Sequence, residues 1–482
     1  MNRILLLVLS FCAVGTTAQS QVRFATDDQF TFTIPQREKN CMQFFNYNET
    51  TTMSPVNAFF LAKMSEMMYP ERLFYQLRYL QNDQRPVTSI SNSDWIERNS
   101  TVTNANFERA FAGRFAHYFF DETKWPRRLN ITPIQLQQVN KTVAATRLAT
   151  GIENVRLDSG RVSPAKPAPA PERNFVQDSI DWIRANTAQF KFIRQRQGMK
   201  FFGIDAGFDP EVMVVTAPRA NFIVFRGTDA YNEIGNKGEW IGTDFNLLFK
   251  DGTGPLAGTK LHSGFYESYL LIRNELIAQL DAQGGKSKKI WITGHSLGSA
   301  MAIVAGADLK AAGYNVQAVY GFSSPRTIGN DAFKTRADNL LAGRIHRFEY
   351  YLDPVTVAGF PFYYAPGKRH WFDESEYGNM QLYTTDEDRY LSPNPCEFNW
   401  CPGDKRSANT VRLLKARKSG MLTDFITQPT QIMGYYHNPQ FMLRGISKLL
   451  SATEKARMPA IDDSFPFLYG KGPTDAPIPG TR

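Results

Sequence analysis

The feature that most constrains the fold is a strand, a sharp turn and a helix that follow one another between residues 290 and 310. Ile290-Trp291-Ile292-Thr293 is a short apolar run that predicts a buried strand. Leu297 to Lys310 predicts a helix that closes near Gly313. Between them lies Gly294-His295-Ser296-Leu297-Gly298, whose two glycines let the strand and the helix approach closely while the serine hydroxyl stays exposed in a strained turn.

Strand and helix signals alternate on both sides of this turn. Met213-Val214-Val215 and Phe222-Ile223-Val224-Phe225 are predicted as buried strands, and Val316 to Phe322 as the strand that follows the turn helix. A predicted helix before the turn carries on one face Tyr269, Ile272, Leu276 and Leu280. Because alternating strands and helices build parallel sheets covered by helices, the predicted fold class is α/β, with a mostly parallel central sheet flanked by helices.

The chain before residue 201 interrupts this alternation. Residues 58–68 predict an early helix, and residues 75–200 predict a long insertion with a Pro/Ala-rich surface linker at 162–171. Aromatic side chains recur in the insertion at helical spacing, which is typical of a stripe facing a core: Phe107, Phe111, Phe115 and Tyr118. We therefore expect the N-terminal part of the catalytic domain at 19–74, its core at 201–450 and a C-terminal tail at 451–482.

Residues 1–18 predict a cleaved export signal. Met1-Asn2-Arg3 precedes an apolar run from Ile4 to Val14, which is too short to span a bilayer permanently, and small residues follow at Thr16 to Ala18. An N-terminal core element is the alternative. No other stretch is long and apolar enough to predict a membrane span, so we expect a secreted or periplasmic protein.

Cleavage would leave three cysteines, Cys41, Cys396 and Cys401. In an exported protein Cys396 and Cys401 predict a small disulfide loop, because no second cysteine or histidine pair at ligand spacing accompanies them to form a zinc site. We therefore expect no metal. Cys41 is left over, either buried or paired between chains.

The net charge of +9 is distributed along the chain. Lysine and arginine do not form blocks, and no nucleic-acid-binding motif is recognisable, so we expect no nucleic-acid partner. The charge is interpreted as a solubility property. Attraction to an anionic interface such as phospholipid headgroups is the alternative.

Ser296 in such a turn is a candidate nucleophile, with a purely structural serine as the alternative. A serine hydroxyl needs a histidine to accept its proton and a carboxylate to orient that histidine, and in α/β-hydrolases they follow in the order Ser, Asp, His. Asp353 comes directly after a predicted strand, at the carboxyl edge of the sheet where catalytic groups collect. It is the candidate acid, and a turn-forming aspartate before Pro354 is the alternative.

Three histidines lie downstream of the serine, at positions 346, 370 and 437. His346 lies inside a predicted strand before Asp353 and is out of order, so it is interpreted as structural. His370 and His437 both follow Asp353. On order alone, either is a candidate general base.

Five short blocks, in order, resemble the class 3 lipases, a family with fungal and plant members. They lie between residues 200 and 440: Phe225-Arg226-Gly227-Thr228, Leu261-His262-Ser263-Gly264-Phe265, Gly294-His295-Ser296-Leu297-Gly298, Ser324-Pro325-Arg326 with Gly329-Asn330, and Asp353-Pro354-Val355. The resemblance implies an α/β-hydrolase fold and a serine ester hydrolase that needs no cofactor. His262 and His295 lie within blocks and are interpreted as packing or hydrogen-bonding residues that support the turn.

The resemblance also implies roles for single residues. His437 is similar to the family's late histidine and is the preferred base, while His370 looks like a second histidine of plant relatives and stays the alternative. The N–H and hydroxyl of Thr228, with the N–H of Leu297, are implied to form the oxyanion hole. A turn-forming threonine is the alternative reading of Thr228.

The segment between Thr228 and Leu261 contains apolar clusters that include Trp240 and Ile241. Enzymes of the resembled family often cover the serine with a short helix whose apolar face opens onto lipid, so this segment is a candidate lid. An ordinary core element is the alternative, because Trp240 and Asp244 look like the family's own continuation of the block.

These features predict an exported serine ester hydrolase, lipase-like, that cleaves carboxylic esters of lipids through an acyl-enzyme intermediate. A phospholipase A1 and a feruloyl-type esterase on the same scaffold are alternatives, as is a non-catalytic binding or surface-interaction protein. The expected partner is a lipid or ester substrate, met at a lipid–water interface if the lid prediction holds. The oligomeric state is left open.

Overall fold

The computed structural model describes residues 38, 40–48, 51–69, 104–119, 188–201, 204–227, 248–350, 353–357, 362–376, 379–385 and 437–459. Their strands are β1 Gln189–Arg194, β2 Gln197–Phe201, β3 Ile204–Phe208, β4 Glu211–Thr216, β5 Asn221–Phe225, β6 Phe249–Asp251, β7 Lys260–His262, β8 Ile290–His295, β9 Val316–Phe322, β10 Ile345–Tyr350, β11 Lys368–Glu376 and β12 Asn379–Thr385. Their α-helices are α1 Pro55–Glu66, α2 Asn104–Phe119, α3 Ser263–Ala282, α4 Leu297–Ala311, α5 Asp331–Leu341, α6 Pro354–Val357, α7 Pro439–Leu449 and α8 Ala452–Arg457.

Eight of these strands form one sheet in the order β1-β4-β5-β8-β9-β10-β11-β12. The five strands from β5 to β11 in this order run parallel to one another. β1, β4 and β12 are antiparallel to their neighbours and lie toward the two edges. The predicted mostly parallel sheet is therefore confirmed, and the predicted strand over Val316 to Phe322 has the observed bounds.

Helices cover both faces of the sheet. Side chains of α1, α2 and α7 share one buried apolar cluster with residues such as Phe222, Trp291 and Phe348 on one face. Side chains of α3, α4 and α5 share a second cluster with Ile223 and other residues of the opposite face. All six residues of β8 are buried, as expected for a parallel strand covered on both sides. The three-layer α/β architecture is that of the predicted α/β-hydrolase fold.

The sequence explains why α1 is an interior helix. Ser54 accepts a hydrogen bond from the Asn57 N–H at the helix start, where Pro55 already has a helical φ. Eleven of the twelve helical residues are buried, and even Lys63 and Glu66 lie in the interior as an ion pair at 3.4 Å. Most residues of α1 are apolar, as expected for a helix buried on all sides, and the two buried charges are paired with each other. The predicted early helix is confirmed, and it begins at residue 55 instead of 58.

The aromatic stripe of the predicted insertion forms the buried face of α2. Phe107, Phe111, Phe115 and Tyr118 are each at most 2% exposed. The Phe107 ring contacts the ring of Phe192 on β1, with centroids 4.7 Å apart. The core-facing stripe is confirmed. β1 lies within the range 75–200 but pairs with the central sheet, and the domain boundaries stay predictions.

Several predicted features lie outside the described residues: the export signal at 1–18, the linker at 162–171, Cys396 and Cys401. Cys41 is buried and forms no disulfide bond among the residues that the structure describes. None of the helices described is both long enough and apolar enough to cross a bilayer.

Candidate active site

The site is built on the turn between β8 and α4. Ser296 has φ 58° and ψ −130°, a left-handed conformation that costs a non-glycine residue free energy. Its N–H donates to the Phe322 carbonyl at 2.9 Å, which ties the turn to the end of β9. Ser296 is only half-buried, between a strand and a helix that are both buried. The predicted strained turn with an accessible serine is confirmed.

Two glycines allow this turn because any side chain would collide with backbone. A Cβ at Gly294 would lie 2.3 Å from the carbonyl oxygen of Gly298. A Cβ at Gly298 would lie 2.6 Å from the carbonyl oxygens of Phe225 and Arg226 at the end of β5. The close approach predicted from the motif is therefore observed, and it brings the start of α4 against the neighbouring parallel strand.

Leu297 is the first residue of α4, so its N–H has no acceptor within the helix. The positive end of the helix dipole adds to the attraction of this N–H for a negative oxygen. On the other side of the serine, Gly227 follows β5, and a Cβ built there would lie 3.0 Å from the Ser296 Cβ. The predicted second contributor, Thr228, lies outside the described residues.

Asp353 follows β10 at the same edge of the sheet. It is fully buried, and its N–H donates to the Tyr350 carbonyl at 2.8 Å. Its Oδ1 accepts a hydrogen bond from the Val355 N–H at 3.0 Å, and its carbonyl accepts one from the Thr356 hydroxyl at 3.0 Å. These local bonds hold the Asp353 carboxylate in place without any contribution from the histidine that it contacts.

The Asp353 carboxylate faces His437. Nδ1 of His437 lies 2.9 Å from Oδ1 and 3.0 Å from Oδ2 of Asp353. His437 lies two residues before α7, whose first turn is capped by the Asn438 side chain accepting from the Gln440 N–H at 3.0 Å. The rings of Phe441 on α7 and Tyr350 on β10 stack at 5.0 Å. The docking of α7 on β10 therefore determines where the imidazole lies.

The other nitrogen of His437 is available for chemistry. Nε2 is buried and has no hydrogen-bond partner among the residues described. The ring packs against His295, the residue before Ser296, with centroids 4.6 Å apart. An imidazole that donates through Nδ1 to a carboxylate carries its lone pair on Nε2, so this histidine is set up to accept a proton beside the turn.

The alternative base lies in a different environment. His370 on β11 is buried, and its Nε2 lies 3.1 Å from Nδ1 of His346 on β10. Burial lowers the pKa of His346 to about 4, with a contribution from Lys368. Burial also lowers the pKa of His370 well below its usual value, with contributions from His346 and Lys368. The prediction that His346 lies within a strand is confirmed.

The remaining predicted residues divide into two groups. His262 is buried and stacks on Phe265 with ring centroids 4.0 Å apart, and His295 packs at the turn as described. The candidate lid residues Trp240 and Ile241 lie outside the described residues. Among the residues described, no three or more His, Cys, Asp or Glu side chains are grouped so that they could hold a metal ion.

Two further features of the site were not predicted from the sequence. The Tyr69 hydroxyl lies 2.7 Å from Nδ1 of His295. The segment that leads to Gly227 is held by Glu211, which pairs with Arg226 and, at 2.8 Å, with Arg194. Burial raises the pKa of Glu211, and the two arginines oppose that shift. No local pattern marks either residue, because each contacts a partner distant in the chain or in a neighbouring strand.

Comparisons with known proteins agree with the resemblance of the five blocks. Residues 222–362 match the family model of the class 3 lipases. The chain is 28% identical to a lipase of Rhizomucor miehei over 190 residues, 37% of this chain and 49% of that protein. It is 38% identical to a secreted mono- and diacylglycerol lipase of Malassezia restricta over 90 residues, 18% of this chain and 30% of that protein.

A solved triacylglycerol lipase, described as having a serine protease triad for its catalytic centre, is 27% identical, with a TM-score of 0.32. The aligned region covers 45% of this chain and 77% of the chain of that lipase. The chain spans about half or less of the length of the two sequence relatives named above. For residues 222–362, the predicted class 3 lipase resemblance is confirmed.

Proposed function

We propose that this chain, which matches the class 3 lipases over residues 222–362, is a serine ester hydrolase that cleaves carboxylic esters of lipids. One observation carries the proposal: a buried carboxylate, Asp353, holds His437 at 2.9 Å with its other nitrogen free, beside the strained turn at Ser296. A structural serine needs neither the strain nor the oriented imidazole. Nucleophilic acyl transfer needs both.

In the first half of the reaction, Nε2 of His437 takes the Ser296 proton as Oγ attacks the ester carbonyl carbon. The negative oxygen of the tetrahedral intermediate accepts hydrogen bonds from the N–H of Leu297 and from Thr228. The intermediate collapses, the alcohol leaves with the proton from His437, and an acyl-enzyme remains on Ser296. Asp353 orients the imidazole and stabilises its protonated form.

In the second half, water replaces the alcohol. His437 removes a proton from the water as its oxygen attacks the acyl carbon, and the second tetrahedral intermediate uses the same oxyanion contacts. Collapse releases the carboxylic acid and returns the proton to Ser296. Every proton passes through His437, so the two steps need no cofactor.

The identity of the ester is a separate part of the proposal. The names of the relatives favour acylglycerols as substrates, and the phospholipase A1 and feruloyl-type activities are the alternatives. A lid in the segment that contains Trp240 and Ile241 would suit a lipid substrate. Within that segment two adjacent apolar side chains are exposed, Leu248 at 68% and Phe249 at 37%, and they support an apolar surface there. Export and a Cys396–Cys401 disulfide complete the proposal.

Covalent labelling by a fluorophosphonate tests the catalytic assignment. We expect one adduct, mapped by mass spectrometry to Ser296, and loss of labelling in Ser296→Ala and His437→Ala. Ser268→Ala, which removes a buried serine hydroxyl from α3, is the matched control and should label normally. No adduct at Ser296 would favour a binding protein on a hydrolase scaffold instead, whereas labelling that survives His437→Ala would overturn the assignment of His437 as the base.

Hydrolysis assays then separate the substrate classes. Rates on short soluble esters, acylglycerol emulsions, phospholipid vesicles and feruloyl esters should be compared at equal concentrations of labelled active site. We expect the acylglycerols to be cleaved fastest. Faster cleavage of phospholipid would select the phospholipase alternative without changing the assignment of Ser296.

A further inference from the structure

Tyr69 brings a hydroxyl group to the candidate active site from a distant part of the chain. It lies three residues after the end of α1 and is only 6% exposed. Its hydroxyl oxygen is 2.7 Å from Nδ1 of His295, and the two rings meet edge to face with centroids 5.6 Å apart. The two residues are 226 positions apart in the sequence, so this bond exists only because α1 packs on the sheet.

The hydroxyl also lies beside the serine turn. A Cβ built on Gly227 would be 2.3 Å from the Tyr69 oxygen and 3.0 Å from the Ser296 Cβ. The tyrosine hydroxyl, the glycine after β5 and the serine therefore converge around one point. Because Gly227 has no side chain, the Tyr69 hydroxyl can occupy the space that a Cβ at position 227 would fill.

From Tyr69 the contacts continue to the base. His295 is the last residue of β8, where its backbone pairs with Phe322, so its Cα position is fixed by the sheet. Its ring lies against the His437 ring with centroids at 4.6 Å and an interplanar angle of 43°. Tyr69, His295 and His437 thus form a continuous row of ring contacts that ends at His437.

A tyrosine hydroxyl can donate to a bare imidazole nitrogen or accept from a protonated one, so the direction of the bond to Nδ1 follows the tautomer of His295. In either direction the bond fixes whether Nδ1 carries a proton, and it opposes a ring flip that would place carbon opposite the hydroxyl. The ring that packs against His437 is therefore held in one tautomer and one orientation.

We propose that Tyr69 is a positioning residue of the active site, whose hydroxyl holds His295 in one tautomer and orientation and thereby holds His437 in line with Ser296. This inference rests on the proposed function. Tyr69 acts through His295 and is not assigned a contact with the reacting atoms.

The test compares Tyr69→Phe with a matched control. The substitution removes one hydroxyl and keeps the ring. Tyr266→Phe removes another buried tyrosine hydroxyl, which is bonded to the N–H and hydroxyl of Thr253 at 2.9 Å each, in a different part of the molecule. Melting temperatures report any common loss of stability.

On a soluble short-chain ester, we expect Tyr69→Phe to lower kcat about tenfold, a change of about 1.4 kcal/mol in activation free energy, with KM changed less than about twofold. The rate constant of fluorophosphonate labelling at Ser296 should fall by a similar factor. Tyr266→Phe should change neither. A kcat equal to that of Tyr266→Phe, or an increase in KM alone, would overturn the positioning role.

His295→Phe tests the same bond from the other side, because it keeps a ring against His437 but has no nitrogen to bond with the hydroxyl. We expect the double variant to be no slower than the slower single variant, since both changes break one chain of contacts. Fully additive effects would overturn the inference. A wild-type chain that neither labels at Ser296 nor hydrolyses any ester would overturn the proposed function itself, and the inference with it, whereas an active wild type with an unaffected Tyr69→Phe variant overturns only the inference.

Discussion

Two pairs of histidines contact each other in different parts of the sheet, and their surroundings differ: one pair lies at the carboxyl end of β8, the other near the amino ends of β10 and β11. His295 and His437 are in ring contact at 4.6 Å, and His437 binds a buried carboxylate. Nδ1 of His346 and Nε2 of His370 are 3.1 Å apart, and burial lowers the pKa of both histidines, with a smaller contribution from Lys368. A histidine that must become positively charged during catalysis needs an anionic partner. Burial without such a partner keeps a histidine neutral, so we interpret His346 and His370 as structural residues.

The comparison of the two histidine pairs predicts that the largest loss of activity follows from changing the Asp353 carboxylate. Asp353→Asn keeps an oxygen that can accept from the Val355 N–H but removes the charge that supports a protonated His437. We expect kcat on a soluble ester to fall about 10⁴-fold with little change in folding. The matched control is Asp338→Asn, whose carboxylate likewise accepts from a backbone N–H, that of Gly367 at 2.7 Å. A fall of less than about tenfold would mean that Asp353 only caps α6.

Replacing His370 of the second pair should lower the stability of the fold and leave catalysis intact. His370→Ala leaves a cavity in a buried sheet and takes the hydrogen-bond partner from His346, so we expect the free energy of unfolding to fall by about 2 to 4 kcal/mol. Urea unfolding measures this loss. The rate per labelled active site should stay within about threefold of the wild type, and its collapse in a folded variant would restore His370 as the base.

Mild acid should weaken the fold through the same pair. An unfolded histidine titrates near 6.5, while the pKa of His346 is about 4 in the folded chain and that of His370 is also lowered. The pair's contribution is fully present above pH 6.5 and is lost as pH falls toward 4, because only the unfolded chain takes up these protons. We expect His346 alone to account for a loss of about 3 kcal/mol between these pH values, and His370 adds to it.

A double variant, His346→Asn with His370→Asn, isolates this loss from the titration of carboxylates. Unfolding free energies of both proteins should be measured by urea at several pH values from 7.5 to 4.5. The wild type should lose more stability than the double variant across this range. Parallel curves would show that the pair does not titrate in the way its burial predicts.

The smallest effect on the loss of stability in acid is expected from replacing Lys368, whose charge contributes to the lowered pKa of His346 and of His370. Lys368→Gln should raise the pKa of the pair toward its usual value, so the wild-type loss of stability in acid should shrink by about 0.3 kcal/mol. Lys334→Gln, which removes a lysine paired with Asp338 on α5, is the control. A larger loss in acid for Lys368→Gln would have the wrong sign and contradict the electrostatic account.

Local patterns predicted much of the sheet and part of the site. Three predicted features are confirmed: the strand, turn and helix around Ser296, the strand at Val316–Phe322 and the apolar face of α3. Each could be predicted because it depends only on neighbouring residues and on one hydrophobic periodicity. The position of Asp353 after a strand is confirmed for the same reason. Thr228 and the candidate lid lie outside the described residues and stay predictions.

The choice between His437 and His370 could not be made from order along the chain. Both follow Asp353, and the packing of α7 in the core, which includes the stacking of Phe441 on Tyr350, brings His437 to the carboxylate across 84 positions. Tyr69 and Glu211 were missed for the same reason. Their partners are chosen by which helix covers which strand, and that information is spread over many side chains.

The sequence by itself determined that a serine lies on a tight turn between a buried strand and a helix, because glycine spacing and hydrophobic periodicity are local properties. The tertiary structure decided which groups surround that serine. Strand order places the ends of β5, β8 and β10 on one edge, and the docking of α1 and α7 adds Tyr69 and His437. These placements arise from the burial of apolar faces against one another, which depends on the whole chain and not on any one segment.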